Sequence, residues 1–342
     1  MYKKFFNLKE NPFNVNPDPR YLFLTRSTQE ALACLTYGIE TRKGFILLTG
    51  EVGTGKTTLL NKLLGWLHQE NVATAFVFNP RLSVSQFFDF MMADFGIPCE
   101  SRMKSQVLIK LNQWLLDRYQ AGERAVLIVD EAQNLSPQML EEIRLLTNLE
   151  TSTEKLLQIV LAGQPELEGK LNQPQMRQLR QRITLRAKTL PLTLEETRGY
   201  INERLRIAGS DGSEVFSAGA IEAIHQYARG IPRVTNVLSE HALISAFVDQ
   251  RKPVPREVVD EVAHDFELLE VDHASQAMAA AEPPLNGISA TGAPLNGNHP
   301  PLVESLLQAL NKLIERLNNS EITVEPERAR ETETPTPTEK EP

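Results

Sequence analysis

The spacing of apolar residues divides the first 270 residues into two regions. In the first region, five short apolar runs alternate with helical stretches, and the runs lie near residues 45–49, 72–78, 125–129, 156–162 and 183–190. This alternation predicts a parallel sheet with helices on both faces. After Pro191 only helical spacings follow, near residues 194–208, 217–229, 233–249 and 255–268. We therefore predict an α/β domain followed by a small all-α subdomain.

Polar residues mark the starts of several of these helices. Ser27 followed by Glu30 has the spacing of a capping box, which predicts a helix from there to about Thr41. Three further helices are predicted to start at Ser83 with Gln86, at Ser136 with Pro137 and at Thr193 with Glu196.

Two segments of different composition flank these regions. Residues 1–25 combine prolines with aromatic residues, which predicts an extended arm held by apolar anchors. Residues 271–342 are rich in Ala, Pro, Gly, Glu and Thr, which predicts disorder. One stretch, 301–318, is predicted to form an amphipathic helix because its apolar residues alternate spacings of three and four; these are Val303, Leu306, Leu310, Leu313 and Leu317. The predicted domains are therefore 1–25, 26–191, 192–270 and 271–342.

The loop after the first apolar run is a complete phosphate-binding motif. Its glycines allow the backbone N–H groups to turn inward around an anion, and the helix that follows adds its positive N-terminal end. Lys56 is placed to reach the β- and γ-phosphates, and the Thr57 hydroxyl is placed to bind Mg²⁺. The predicted nucleotide-binding residues are Gly50, Glu51, Val52, Gly53, Thr54, Gly55, Lys56, Thr57 and Thr58.

Two carboxylates follow the third apolar run. Asp130 is predicted to hold Mg²⁺ together with Thr57, and Glu131 to accept a proton from an attacking water. An additional apolar run near 72–78 lies between the loop and this acidic pair. Among proteins with this phosphate-binding loop, such an extra strand is typical of the ATPase branch rather than the GTPase branch. The Asn-Lys-x-Asp motif that reads guanine does not occur in the sequence. The sequence therefore predicts an enzyme that converts ATP and water to ADP and phosphate.

The charge is unevenly distributed along the chain. Ten of the 44 acidic and five of the 36 basic residues lie from Gln276 onward, which leaves 34 acidic and 31 basic residues before it. This near-neutral part does not predict strong general affinity for nucleic acid or anionic lipid. Cys34 and Cys99 form no metal or redox motif, and the sequence has neither a signal peptide nor a run of about 18 apolar residues. We expect a soluble cytoplasmic protein without a membrane span.

Several segments together resemble one family of AAA+ ATPases, the general secretion pathway protein A (ExeA) family. Its relatives include ATPases of exopolysaccharide/exosortase loci and the TniB and TnsC-like transposition ATPases. The resemblance covers about residues 1–268 and rests on Asn11-Pro-Phe13, Pro17 to Phe23, the run from Gly44 through the phosphate loop, Val129 to Gln133, and Leu161 to Glu166. It implies that the helical subdomain is a lid and that the protein is a homo-oligomer.

The resemblance also assigns roles to individual residues. Gln164, after the fourth strand, takes the sensor 1 position, which orients the attacking water. Arg233 matches sensor 2, which touches the γ-phosphate and reports nucleotide state to the lid. Arg180 or Arg182 takes the place of the arginine finger, which reaches the γ-phosphate of a neighbouring subunit. Two other interpretations of the basic segment 177–188 are a surface that contacts nucleic acid and a set of solvated charges without a specific role.

The function implied by the resemblance is an oligomerising ATPase that serves secretion or polysaccharide export. The alternative is a DNA-associated ATPase that regulates transposition, which the near-neutral charge disfavours. A nucleotide-gated scaffold with weak hydrolysis is a further alternative, whereas a helicase would need a second RecA-like domain. The secretion proteins continue into a membrane span and a peptidoglycan-binding region that this sequence lacks. We therefore expect the tail to bind an unidentified protein partner rather than the cell wall.

Overall fold

In the computed structural model, which describes residues 2–78, 82–98 and 103–266, five parallel strands form one sheet in the order β2-β3-β4-β1-β5. The strands are β1 (Phe45–Gly50), β2 (Ala73–Val77), β3 (Ala125–Val129), β4 (Leu157–Gly163) and β5 (Ile183–Thr189). Every residue of β1, β3 and β4 is buried. Continuous apolar runs form such strands because helices cover both faces of the sheet. The predicted α/β fold class is confirmed.

Helices precede and connect the strands. They are α1 (Tyr2–Phe5), α2 (Arg26–Glu40), α3 (Lys56–Gln69), α4 (Val84–Asp94), α5 (Lys104–Gln120), α6 (Pro137–Leu146), α7 (Pro165–Leu171) and α8 (Arg177–Arg182). On one face of the sheet, Phe45 and Leu47 pack in a single apolar cluster with α4 to α8. On the other face, α2 approaches so closely that a Cβ at Gly38 would lie 2.5 Å from the Ile46 side chain. Both faces are therefore covered.

The start of α2 differs from the prediction. Thr25 is the N-cap, and its side chain accepts a hydrogen bond from the backbone N–H of Thr28 at 3.2 Å. Ser27 lies inside the helix, and its hydroxyl donates to the Lys188 carbonyl of β5 at 3.1 Å. Glu30 pairs with Arg26 and does not return to the Ser27 N–H, so the capping box does not form. The caps predicted at Ser83, Ser136 and Thr193 are confirmed.

Within residues 192–266, four helices pack around a second apolar core, and we call them the lid. They are α9 (Leu194–Ile207), α10 (Ala218–Ala228), α11 (Pro232–Val248) and α12 (Arg256–Asp265). The arm, described here from residue 2 to residue 25, begins with the short α1 rather than extended chain. Its apolar anchors Phe6, Leu8 and Phe13 are buried in the lid core. The N-terminal residues are thus part of the lid's packing.

The chain beyond Phe266 lies outside the described residues, and this includes the predicted helix at 301–318 and the low-complexity segments. Across residues 2–78, 82–98 and 103–266, none of the helices has the length and apolar character that crossing a bilayer requires.

Candidate nucleotide-binding site

The phosphate-loop residues connect β1 directly to α3. Gly53 and Gly55 have φ values of 80° and 95°, in the left-handed region that favours glycine. A Cβ at Gly55 would meet nothing within 4 Å, so glycine is needed there for its backbone conformation. At Gly50 the reason is space, because a Cβ would lie 2.0 Å from the Thr189 hydroxyl. The loop conformation predicted from the motif is therefore present.

Lys56, the first residue of α3, has its ammonium group inside the loop. It is buried and donates to the carbonyl oxygens of Gly50 at 2.8 Å and Glu51 at 3.0 Å. Burial lowers the pKa of Lys56, while the nearby carboxylates of Glu131 and Asp130 oppose that shift. The cation thus lies at the N-terminus of a helix, where the helix dipole adds further positive potential.

Thr57 and Asp130 lie side by side across the end of the sheet. The Thr57 hydroxyl donates to Asp130 Oδ2 at 2.9 Å, and the Glu131 backbone N–H donates to Oδ1 at 2.9 Å. Burial raises the pKa of Asp130, whereas these two hydrogen bonds oppose the rise. A hydroxyl and a carboxylate suit Mg²⁺, which takes few protein ligands and completes its shell with phosphate and water oxygens. In the described part of the chain, no group of three or more His, Cys, Asp or Glu side chains could hold a metal by itself.

Glu131 is held in an unusual backbone conformation. Its φ of 52° and ψ of 35° lie in the left-handed region, which non-glycine residues rarely adopt and which occurs preferentially at functional sites. Its Oε2 accepts hydrogen bonds from the side-chain amides of Gln133 and, at 3.2 Å, Gln164. The structure therefore brings Glu131 and Gln164 together, and their roles at an attacking water stay predictions.

Gln133 is a site residue to which the sequence analysis gave no role. Besides its bond to Glu131, its Oε1 accepts the backbone N–H of Gln164 at 3.1 Å. The absence of a side chain at Gly163 leaves room for it, since a Cβ there would lie 2.8 Å from that oxygen. Gln133 therefore connects the ends of β3 and β4. Its proximity to Glu131 in the sequence was visible, but its contact with β4 was not.

A cleft of about 370 Å³ extends from the loop toward the arm and the lid. Its volume lies in the range of small-molecule sites. We call Gly50 to Thr58 with Asp130, Glu131 and Gln164 the loop side. The opposite wall, the arm–lid side, is formed by residues 15–18 and 21–23 of the arm and by the lid; its lining includes Val15, Pro17, Tyr21, Leu192, Tyr200 and Arg204. Pro17 to Phe23 contributed to the family resemblance, but the sequence assigned these residues no role in a site.

Arg233, near the start of α11, lies beside the loop. The backbone N–H of Arg233 donates to the Gly53 carbonyl at 3.2 Å. The two residues are so close that a Cβ at Gly53 would lie 2.8 Å from the Cβ of Arg233. Its side chain also lines the cleft. The structure thus brings this predicted site residue to the loop, and its role as sensor 2 stays a prediction.

Arg180 and Arg182 lie away from the loop of their own chain. Ile183, which follows them, pairs with Phe45 at the start of β1, whereas Gly50 pairs with Thr189 at the opposite end of β5. These two ends are separated by about 20 Å of strand. Arg182 is half-buried and donates to Thr147 Oγ1 at 3.2 Å. Arg180 is exposed and donates to Asn172 Oδ1 at 3.3 Å.

The chain is similar in sequence to known proteins. A family model described as an AAA domain matches residues 39–171. General secretion pathway protein A of Aeromonas hydrophila is 45% identical over 248 residues, which cover 72% of this chain and 45% of that protein. The chain therefore spans less than half the length of this curated relative.

Solved structures with low sequence identity share the fold. The Aeropyrum pernix ORC2 protein in ADPNP–ADP complexes has a TM-score of 0.56 at 17% identity, with coverage of 76% of this chain and 75% of that one. Cdc6p of Pyrobaculum aerophilum has a TM-score of 0.54 at 17% identity, with coverage of 75% and 70%. The sequence relative and the AAA-domain match support the assignment of this chain to the ExeA-like AAA+ ATPases, and the solved structures show the fold alone.

Proposed function

We propose that this protein binds ATP with Mg²⁺ in the cleft and hydrolyses it to ADP and phosphate. The observation that carries the proposal is the position of Glu131. Its carboxylate is held by two glutamine amides, Gln133 and Gln164, at the same sheet edge as the Thr57–Asp130 pair. A proton acceptor beside a metal and phosphate site is the arrangement that hydrolysis by an activated water requires.

The loop side supplies the binding of the phosphates in this proposal. Backbone N–H groups of the loop and the Lys56 ammonium bind the β- and γ-phosphates. Thr57 and Asp130 would hold Mg²⁺, which would supply positive charge beside the phosphates. Glu131 takes the proton of the attacking water, and Gln164 orients that water. Gln133 keeps both groups in place through its bonds to Glu131 and to the Gln164 backbone.

Arg233 would connect the nucleotide to the lid. It belongs to α11, and its backbone is bonded to Gly53 of the loop. A γ-phosphate on the loop would attract the exposed guanidinium, so the position of α11 would depend on which nucleotide is bound.

We further propose that the site is completed by a second copy of the chain, with Arg180 as the finger. Arg180 is exposed, whereas Arg182 is half-buried and bonded to Thr147 within its own chain. Both lie at the sheet edge opposite their own loop, so a finger from either must serve a neighbouring subunit. The exposed residue is the better candidate because it is free to leave its weak bond to Asn172.

The setting that we propose is assembly or regulation of a secretion or polysaccharide-export system. The 45% sequence identity with general secretion pathway protein A supports this setting. In this proposal residues 26–191 are the ATPase core, 192–270 the lid, and the segment at 301–318 the site that binds a protein partner.

Replacing Glu131 with Gln tests the proposed reaction. Gln preserves size and hydrogen bonding but cannot accept a proton, and loss of a general base costs about 10²–10⁴-fold in turnover. Glu131→Gln should therefore bind ATP with the parental affinity in calorimetry, and its phosphate release should fall by that factor.

The matched control is Glu166→Gln, which changes an exposed carboxylate in the first turn of α7. It should leave phosphate release near the parental rate. If Glu131→Gln released phosphate as fast as the unmodified protein, this residue would have no role in the mechanism. If the unmodified protein did not bind ATP, the proposed function would be refuted.

A further inference from the structure

The lid contains a buried cation that the proposed reaction does not use. Arg204 lies on α9 and is only 6% exposed. A buried charge is costly unless its hydrogen bonds are satisfied. Within residues 2–78, 82–98 and 103–266, no carboxylate forms a salt bridge with Arg204. The Asp18 carboxylate is near enough to interact with its charge, and other groups accept its hydrogen bonds.

Those groups are mainly carbonyl oxygens of the arm. Arg204 Nε donates to the Pro12 carbonyl at 2.5 Å, and Nη2 donates to the Asn14 carbonyl at 3.0 Å. Nη1 donates to the Tyr200 hydroxyl at 2.7 Å, within the lid itself. The rigid fork of the guanidinium therefore fixes the arm immediately before residues 15–18 and 21–23, which line the cleft.

Arg204 also contacts the cleft wall directly. The centre of its guanidinium lies 4.4 Å from the centroid of the Tyr21 ring, a cation–π contact. Tyr21 is buried, and its hydroxyl donates to Glu10 at 3.0 Å. Burial, together with the bond to Glu10, raises the pKa of Tyr21 to about 12, so the ring stays neutral near pH 7. Arg204 and Tyr21 both line the cleft.

The other end of the wall is attached to the core. Asn61 of α3, the helix that follows the loop, donates to the Pro17 carbonyl at 3.2 Å. Further along, α2 begins at Arg26, and its Ser27 bonds to β5. Residues 15–23 are therefore held by the lid on one side and by the core on the other. On the lid side Arg204 contacts Tyr21, and Phe23 packs against Tyr200 with ring centroids 6.0 Å apart.

We propose that Arg204 is a positioning residue for the arm–lid side of the cleft. By holding the Pro12 and Asn14 carbonyls and the Tyr21 ring against α9, it places this wall opposite the loop at the distance that fits a nucleoside. The proposal rests on the proposed function, because it concerns the same cleft. Its specific consequence is that Arg204 controls affinity for the nucleoside part of ATP and leaves the binding of phosphate groups to the loop.

The experiment measures two ligands on the full chain by calorimetry in the presence of Mg²⁺. The first is ATP, and the second is inorganic tripolyphosphate, which has no base or ribose. Arg204→Met removes the donors but keeps much of the side-chain volume. Its ATP affinity should fall about 10- to 100-fold, since it loses hydrogen bonds made by a charged group, while its affinity for tripolyphosphate stays within about twofold.

Steady-state kinetics give a second readout. The KM for ATP should rise while kcat stays near the parental value, the signature of lost binding that is uniform between ground state and transition state. The matched control is Arg206→Met, two residues further along α9. Arg206 is exposed and paired with Glu203, so its removal should change neither ligand's affinity.

A merely structural role for Arg204 predicts a different result. In that case Arg204→Met would lose affinity for both ligands equally, or would bind ATP as the control does, and either outcome overturns the proposal. If Arg204→Met fails to fold, Tyr21→Leu decides, because it removes the stacked ring and should weaken ATP binding without weakening tripolyphosphate binding. The proposal would also be overturned if the unmodified protein bound ATP no more tightly than tripolyphosphate. If it bound neither ligand, the proposed function itself would be refuted.

Discussion

The two sides of the cleft are built in different ways. On the loop side, the site residues follow β1, β3 and β4 of one sheet, and direct hydrogen bonds join them, Thr57 to Asp130 and Gln164 to Glu131. On the arm–lid side, the wall consists of residues 15–18 and 21–23 and parts of the lid, and the bond between Pro12 and Arg204 joins positions 192 residues apart in sequence. One side depends on strand pairing, and the other on contacts between the arm and the lid, which are far apart in sequence but share one apolar core.

This difference separates two tasks. The strand ends cannot shift against one another without breaking the ladder of a buried sheet, so the groups proposed for chemistry keep their relative positions. A rotation of the lid against the sheet would move the arm–lid wall and leave Asp130 and Glu131 in place. Recognition of the nucleoside and the proposed contact of Arg233 with the γ-phosphate are therefore the parts of the site that depend on lid position.

Among the variants that test this comparison, Lys56→Ala is expected to have the largest effect on ligand binding. Lys56 supplies the cation inside the loop, and its removal leaves the phosphate charge poorly compensated. We expect binding of both ATP and tripolyphosphate to fall below detection in calorimetry, in contrast to the loss of ATP affinity alone in Arg204→Met.

Lys62→Ala, on the same helix but outside the loop, is the control for Lys56→Ala and should bind both ligands as the parent does. If Lys56→Ala still bound tripolyphosphate at parental affinity, the loop side would not be the phosphate site and the comparison would fail.

The next effect concerns completion of the loop side by a second copy. An arginine finger is worth about 10³–10⁵-fold in rate. Arg180→Ala should lose turnover by such a factor while it still binds ATP. Arg182→Ala should instead keep turnover and lose stability, because Arg182 bonds to the buried Thr147. Phosphate release and thermal unfolding of the two variants separate these outcomes.

Two further measurements test whether the finger acts between subunits. Parental turnover per subunit should rise with protein concentration, because only associated copies have complete sites. A mixture of Arg180→Ala with Lys56→Ala should recover part of the activity, since the first supplies an intact loop and the second an intact finger. Flat specific activity together with an inactive mixture would mean that one chain completes the site by itself.

The loop side was predictable from sequence because its signals are local. Glycine spacing predicted the loop between Gly50 and Lys56, the apolar run that ends in two acids predicted Asp130 and Glu131, and the family resemblance assigned Gln164. The arm–lid side was not predictable, because Arg204 and the arm carbonyls come together only through the packing of Phe6 and Phe13 in the lid. Gln133 was also missed because one of its contacts is distant in sequence. Its Oε1 accepts the backbone N–H of Gln164, directly after β4.

The start of α2 shows how tertiary contacts decide between two local signals. Thr25 and Ser27 are both hydroxyl residues near the helix start, and the Ser27–Glu30 spacing matched the capping box. In the structure, Ser27 bonds to β5 and Glu30 pairs with Arg26, which leaves Thr25 as the cap. This residue is also where the arm joins the core.

The smallest expected effect comes from this cap. Thr25 is buried and accepts the Thr28 N–H, and loss of such a cap typically costs about 1 kcal/mol in the free energy of unfolding. Thr25→Ala should therefore be destabilised by about that amount in urea unfolding, whereas Ser27→Ala, which loses one exposed hydrogen bond, should change by less than about 0.5 kcal/mol. Because α2 anchors the arm to the core, Thr25→Ala should also weaken ATP binding slightly and leave tripolyphosphate binding unchanged. A larger loss of stability in Ser27→Ala than in Thr25→Ala would restore the capping box as the start of α2.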